Sequence, residues 1–211
     1  MELITLAALW LLFCFMHSAL ISIPFINRLK QKTGNYYRFY RLFYNIFSLV
    51  TLIPVLLYAA SIKQPPFFVW DGYLLAVKYL LFGTGILCFV TGARHYSLGQ
   101  FSGLAQIREE TNHGLMNKNG GLSTNGILGV VRHPFYAGIF PLIWSHDLDI
   151  TVLITNVILS IYVIIGTLLE ERKLIAEFGD AYREYQQRVS MLFPVQYFGR
   201  KITSLPRHFP V

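Results

Sequence analysis

Two short polar clusters interrupt an otherwise apolar chain, and their residue types suit the binding of a charged small molecule. The first is Arg132-His133-Pro134-Phe135-Tyr136-Ala137-Gly138. Proline fits the first position of a helix, where its missing N–H costs nothing, so Arg132 and His133 fall beside a helix N-terminus. Free N–H groups and the helix dipole favour anionic groups there. The same residues also suit a plain interfacial anchor, with basic groups and a tyrosine at the lipid headgroups. The second cluster is Glu170-Glu171-Arg172-Lys173, at the end of a long apolar run. Two carboxylates at a helix C-terminus oppose the dipole and call for a positive partner, either Arg132 or a cationic ligand. A solvated helix end with Glu171 paired to a nearby lysine is the plainer alternative. Ionisable groups at membrane depth are functional candidates by default.

The remaining polar residues carry weaker signals. His17-Ser18 lies inside the first apolar run, where hydrogen bonding within a bundle is expected, and Arg94-His95 reads as an anchor for the third run. No Cys/His cluster has metal-ligand spacing, so no metal is expected. There is no phosphate-cradling loop and no serine in a nucleophile elbow, which counts against hydrolases. Cys14 and Cys88 both lie in apolar runs and read as small hydrophobes rather than a disulfide.

The elements that must position these clusters are membrane helices. Apolar residues make up 54% of the 211-residue chain and charged residues 14%, against about 25% charged in an ordinary soluble domain. Such a chain lacks the polar surface to stay in water. Apolar runs near the ~20 residues that cross a bilayer cover about 3–23, 39–60, 73–92 and 150–169. A fifth, 134–145, is only about a dozen residues and reads as the first arm of a hairpin that begins below the membrane surface, or as a re-entrant arm. The fold class is therefore all-α: an integral membrane bundle of about five transmembrane helices. Pro54 predicts a kink, and Lys78 is the one charge of the third span, placed to snorkel. Met1-Glu2 lacks the basic start of a signal peptide, so the first run is expected to be retained. Residues 25–41 read as a basic connection. From Glu170, Leu174, Phe178, Tyr182, Tyr185 and Val189 recur at three- and four-residue spacing, which predicts an amphipathic helix on the membrane or on the protein. Gly179-Asp180 is placed to stop one helix and cap the next.

The net charge of +7 lies between the apolar runs rather than on a soluble face, so nucleic acid is not the expected partner; membrane lipids are. Lysine and arginine number five in the first loop, four in the third connection through Arg132 and seven from residue 170 onward, while the other loops carry Lys63, Asp71, Asp147 and Asp149. The positive-inside rule then puts the N-terminus outside and the C-terminus in the cytoplasm, with the bacterial inner membrane as the expected location. Residues 1–92 form a three-span region and 93–211 the remainder of one integrated membrane domain. The connection 93–131, with Glu109, Glu110, His113, Lys118 and Gly120-Gly121, is long enough to suggest a functional loop.

The two clusters also form one pattern. Gly126 through Arg132-His133-Pro134-Phe135-Tyr136-Ala137-Gly138 is followed by Glu170-Glu171-Arg172-Lys173-Leu174 and then Phe178-Gly179-Asp180-Ala181-Tyr182-Arg183-Glu184-Tyr185. Over roughly residues 90–195 this resembles the isoprenylcysteine carboxyl methyltransferase family and its bacterial relatives. The resemblance implies an all-helical membrane enzyme that binds S-adenosylmethionine at the cytoplasmic end of its last helices and methylates a small-molecule or lipid-like acceptor, a thiol or a carboxylate. It further implies that His133, Pro134, Tyr136, Gly138, Glu170 and Glu171 bind the cofactor, and that Arg132, His133 and Glu171 serve catalysis. Glu170 and Glu171 would face the cofactor's ammonium or ribose, and Arg132 its carboxylate or the acceptor. His133, His95 or His113 could assist deprotonation of a thiol. The N-terminal third, with His17-Ser18 and its basic loop, is similar instead to relatives that methylate small thiols and to a denitrification-associated membrane family; Gly103 through Asn119 looks inserted. The rival classes are a non-enzymatic membrane transporter or haem- or denitrification-associated membrane factor, and a haem- or quinone-associated scaffold using His17 and His95.

Overall fold

The computed structural model describes residues 1–95, 98–109 and 124–203. Four helical stretches are long and apolar enough to cross a membrane: α1 (Glu2–Leu20), α3 (Tyr40–Ser61, at the end of the longer stretch Ile23–Ser61), α4 (Leu74–Ala93) and α8 (Ile150–Phe178). Large apolar side chains such as Leu11, Phe15, Leu49, Leu57, Leu80, Leu87 and Ile165 point outward from them. An apolar exterior of this extent would aggregate in water and is stable against acyl chains. The fifth apolar segment forms α7 (Pro134–Trp144), whose 11 residues rise about 16 Å, roughly half the hydrocarbon core. The expected bundle of about five helices is thus four full-length spans and one half-length arm, paired with α8 as a hairpin.

Two local structures differ from the sequence expectation. Residues 25–41 are helical rather than an open connection: α2 (Ile23–Thr33) is followed by a 3-10 turn (Gly34–Phe39). Pro24 closes the first apolar run and also occupies the opening turn of α2, where proline is tolerated. At the other end of the chain, α8 does not stop at Leu169 but continues unbroken through the acidic pair to Phe178. Gly179, at φ 58°, ends it, and α9 (Asp180–Arg188) follows. Asp180 is the first residue of that helix and pairs with Arg183 at 2.7 Å instead of capping it. Leu174, Tyr182, Tyr185 and Val189 are buried together, so the amphipathic tail lies on the protein.

Two contacts build the bundle. Leu6 and Trp10 of α1 meet Val55 of α3 with Ile62 beyond it, and Trp10 Nε1 donates to Thr155 Oγ1 of α8 at 3.0 Å. Nearer the basic end, His17 is held by hydroxyls from two other helices, Tyr44 of α3 and Tyr162 of α8, each 2.7 Å from a different ring nitrogen. Polar contacts of this kind tie helices together where lipid removes the hydrophobic incentive to associate. The second contact joins α4 to α7 through glycine. A Cβ on Gly138 would lie 3.0 Å from the Cys88 Cβ and from the Gly85 carbonyl oxygen, and one on Gly85 would lie 2.4 Å from Leu142 Cγ.

Alternation of the spans gathers the loops into two layers. At the weakly charged end, Phe67 and Phe68 N–H donate to the Leu148 carbonyl. Asp147 there accepts from the Trp70 N–H and from Lys78 at 3.0 Å. These two donors, the backbone one first, hold its carboxyl below the ordinary range. Lys78 thus snorkels onto a specific partner. At the opposite, basic end lie α2, the 3-10 turn, α5 (Leu98–Ser102), α6 (Leu104–Glu109), α9, α10 (Val195–Thr203) and both polar clusters.

The glycine contact yields a stability test. Gly138→Val overpacks the α4–α7 contact and is expected to cost about 1–3 kcal/mol, read as a lowered thermal unfolding midpoint in detergent. Gly83→Val, with nothing within 4 Å of its would-be Cβ, is expected to leave the midpoint in place.

Candidate active site

The segment carrying Arg132 and His133 is fixed by backbone pairing before any side chain acts. The Arg132 N–H donates to the Ser190 carbonyl at 2.9 Å and the His133 N–H to the Met191 carbonyl at 3.2 Å, around a parallel bridge between Val131 and Ser190. The Tyr185 hydroxyl donates to the Leu128 carbonyl at 2.5 Å, beside the short 3-10 turn Gly126–Gly129. Pro134 then starts α7, with Gly92 of α4 packed against its ring. The N-terminus of α7 is thereby clamped between α4 and the chain that follows α9.

Glu171 of α8 reaches into this clamp. Arg132 grips its carboxylate bidentately, Nε to Oε1 at 2.9 Å and Nη2 to Oε2 at 2.7 Å. His133 Nε2 donates to Oε1 at 2.6 Å, and the Tyr182 hydroxyl donates to Oε1 at 2.7 Å. Gln186 Nε2 donates to Oε2. Arg132 Nη1 turns the other way, to the carbonyls of Val189 and Gln186. Exposure is 5% for Glu171, 7% for Arg132, 3% for His133 and 0% for Tyr182. A carboxylate at this depth is stable only with a positive partner and filled lone pairs, and five donors supply both. Because the carboxylate can only accept, the His133 proton sits on Nε2. Burial, and then the hydrogen bond to Glu171, raise the Tyr182 phenol above its ordinary value, so it remains a donor.

The structure thus brings together Arg132, His133 and Glu171, with Pro134 behind them and Tyr136 stacked on His133 at 5.7 Å between ring centroids. The solvated helix end is excluded for Glu171. Its oxygens are committed to protein donors rather than turned to an open space, and so is most of the Arg132 guanidinium. Glu170, its neighbour, differs: it is half-buried, with no hydrogen bond or ion pair among the described residues. Gly138 faces α4, where its lack of a side chain is accounted for by packing. His95 rests against Gly126, whose φ of 60° and 2.7 Å spacing to the imidazole demand glycine. His17 has both ring nitrogens occupied by tyrosines, which leaves neither free for the haem that the rival reading attached to it. His113, Glu110 and Lys118 lie outside the described residues. Sequence reasoning gave no role to Tyr182 and Gln186. The tyrosine stood in the quoted motif, and the glutamine lies one helical turn after it.

A ligand at this end would meet groups other than the saturated carboxylate. Tyr136 and Glu170 border the node, and Arg41 of α3 lies close enough to both to interact with them electrostatically. A cation, an anion and a phenol of this kind suit a small ligand that carries charges of both signs. An open cavity at the weakly charged end, lined by Trp10, Ile62, Thr151 and Thr155 among others, is remote from these groups.

The family model described as NnrU protein matches residues 5–196. The chain is 46% identical over 65 residues to methanethiol S-methyltransferase 1 of Bradyrhizobium diazoefficiens, covering 30% of this chain and 23% of that protein. It is 38% identical over 77 residues to methanethiol S-methyltransferase of Pseudomonas deceptionensis, covering 36% and 29%. Against the enzyme of the same name from Crocosphaera subtropica it is 35% identical over 72 residues, covering 34% and 28%. The matched stretches span less than a third of the relatives' own length. No solved structure matches the chain significantly.

The node predicts strong coupling. Arg132→Met or Glu171→Met alone strands a buried charge and is expected to cost about 3–5 kcal/mol. The double substitution is expected to cost clearly less than the sum, as thermal unfolding of the four proteins would show.

Proposed function

Because the chain belongs to the NnrU protein family, we propose that it is a membrane methyltransferase that uses S-adenosylmethionine to methylate a small thiol at the cytoplasmic end of the bundle, in the bacterial inner membrane with its N-terminus outside. The observation that supports this most is the similarity, at 35–46% identity over part of the chain, to proteins named methanethiol S-methyltransferase. The polar groups of the candidate site all gather at the basic end, as a charged cofactor from the cytoplasm requires, while acceptors soluble in lipid can enter between helices.

When bound, the donor supplies a methyl group on a cationic sulfur that departs as a neutral thioether. The residues of this chain have three tasks around that reaction. The Arg132–Glu171–His133 node fixes the start of α7 relative to α8, so that Tyr136 and Glu170 present a constant geometry; positioning of this kind accounts for much of the acceleration in two-substrate reactions. Glu170 contributes the negative charge that favours the cationic parts of the donor. The apolar walls, including Phe135 with its ring centroid 5.6 Å from that of Phe89 and 6.3 Å from that of Phe101, exclude water and admit a small apolar thiol. The acceptor reacts as its thiolate, since that is the nucleophilic form. Residues 1–92 complete the bundle around the core formed from residue 93 onward.

The proposal predicts that detergent-purified protein given S-adenosylmethionine and methanethiol forms dimethyl sulfide, measured in the headspace, with both reactants required. Tyr182→Phe removes one donor from Glu171 and is expected to slow the reaction severalfold while the protein stays folded. Folded native protein that binds the donor but methylates no thiol would contradict the assigned acceptor.

A further inference from the structure

Arg132 is the arginine of the motif, but its donors are spent on Glu171, Gln186 and Val189. The basic end holds a second arginine at comparable depth. Arg41 opens α3, one turn before Tyr44, and is half-buried. Its Nε donates to the Phe101 carbonyl at 3.3 Å, and its guanidinium lies over the rings of Tyr44 and Phe101, 5.9 and 5.8 Å from their centroids. Asn45, one turn on, donates to the carbonyls of Phe101 and Ser102. Gly103, at φ 92°, brings its backbone so near Leu42 that a Cβ would lie 2.6 Å from the Leu42 nitrogen. The head of α3 and the α5 turn therefore hold the arginine in one place from three sides. Both terminal nitrogens of that held guanidinium lack a hydrogen-bond acceptor among the described residues.

The path from Arg41 to the candidate site is short and aromatic. The Phe101 ring lies 6.3 Å from that of Phe135, the neighbour of Tyr136, and Tyr136 stacks on His133. Glu170 follows on α8, with no ion pair among the described residues. Arg41 interacts electrostatically with Tyr136 and Glu170, yet the arginine and the glutamate are not within ion-pair distance of each other. A cation and an anion, both half-buried and neither in an ion pair among the described residues, thus lie close enough to interact without touching. A molecule that bridges two such charges would carry an anion and a cation of its own.

We propose that Arg41 of α3 and Glu170 of α8 form a zwitterion-binding pair that holds an α-amino acid group, Arg41 taking the carboxylate and Glu170 the ammonium. Resting on the methyltransferase reading, this makes the pair the seat of the methionine end of S-adenosylmethionine. A planar guanidinium whose two terminal nitrogens have no acceptor among the described residues suits bidentate capture of a carboxylate. The arrangement gives the N-terminal three-span region a direct part in ligand binding. If Arg41 merely lay its stem along aromatic rings, it would be indifferent to the ligand's carboxylate.

Titration calorimetry of the full chain in detergent, with S-adenosylmethionine and with its decarboxylated form, separates these cases. The native protein is expected to prefer the carboxylated ligand by about ten- to a hundredfold, the range for a hydrogen bond to a charged group. Arg41→Ala is expected to abolish the preference by weakening only the carboxylated ligand, with Arg41→Lys intermediate. Glu170→Gln is expected to weaken both ligands alike, since both keep the ammonium. A native protein with no preference, or an Arg41→Ala protein that keeps it, overturns the assignment of Arg41; unchanged affinities in Glu170→Gln overturn that of Glu170. If Arg41→Ala does not fold, Arg41→Lys, which keeps the charge and most of the stem, decides: a reduced preference supports Arg41 and an unchanged one overturns it. Native, folded protein that binds neither ligand overturns the donor reading itself, a different result from binding without preference.

Discussion

Five hydrogen bonds converge on one buried carboxylate, and the basic end of this bundle is arranged around them. Glu171 sits past the apolar part of α8, about two turns before the helix ends, and an anion buried at that depth cannot be left bare. Its donors come from the head of α7 (Arg132 and His133) and from α9 (Tyr182 and Gln186). Small apolar clusters, Tyr182, Tyr185 and Val189 on Leu174, and Val131 with Ala137 and Leu192, pack beside them. The carboxylate and Arg132 act as a common tie, and the backbone pairing of residues 131–133 with 190–191 seats the tie in register.

This constraint separates residues that build the site from residues free to serve it. A carboxylate whose lone pairs are filled by protein donors cannot also receive a ligand's ammonium without giving one up. Glu171, Arg132 and Tyr182 therefore belong to the framework, and under the proposed function ligand chemistry falls to their neighbours, Tyr136, Glu170 and Arg41. The glycines follow the same logic. Gly85, Gly92 and Gly138 let α4 approach α7 closely, which brings the third span against the head of the half-length arm and closes one wall of the site.

Much of this was legible in the sequence, because membrane helices report themselves through length and hydropathy. The spans 3–23, 39–60 and 73–92 lie within a few residues of α1, α3 and α4. The two polar clusters were recognisable as departures from an apolar background, and the need of a carboxylate at a helix C-terminus for a positive partner singled out Arg132. Three features were not legible. The continuation of α8 to Phe178 was hidden by the charged residues 170–173, which resemble a span's end when hydropathy is the only guide. The helical character of α2 was masked by its basic composition. The role of Glu171 depended on counting donors in space, and no spacing rule counts them: Tyr182 and Gln186 reach it only because Gly179 folds α9 back along α8.

Hydrogen–deuterium exchange on the native protein and on Glu171→Gln tests the organising role of this carboxylate most directly. If Glu171 ties the basic end together, peptides covering 131–136 and 182–191 lose protection together in the variant, while those covering α1 and α3 keep theirs. Protection lost only around residue 171, with the 131–136 and 182–191 segments unchanged, would contradict it.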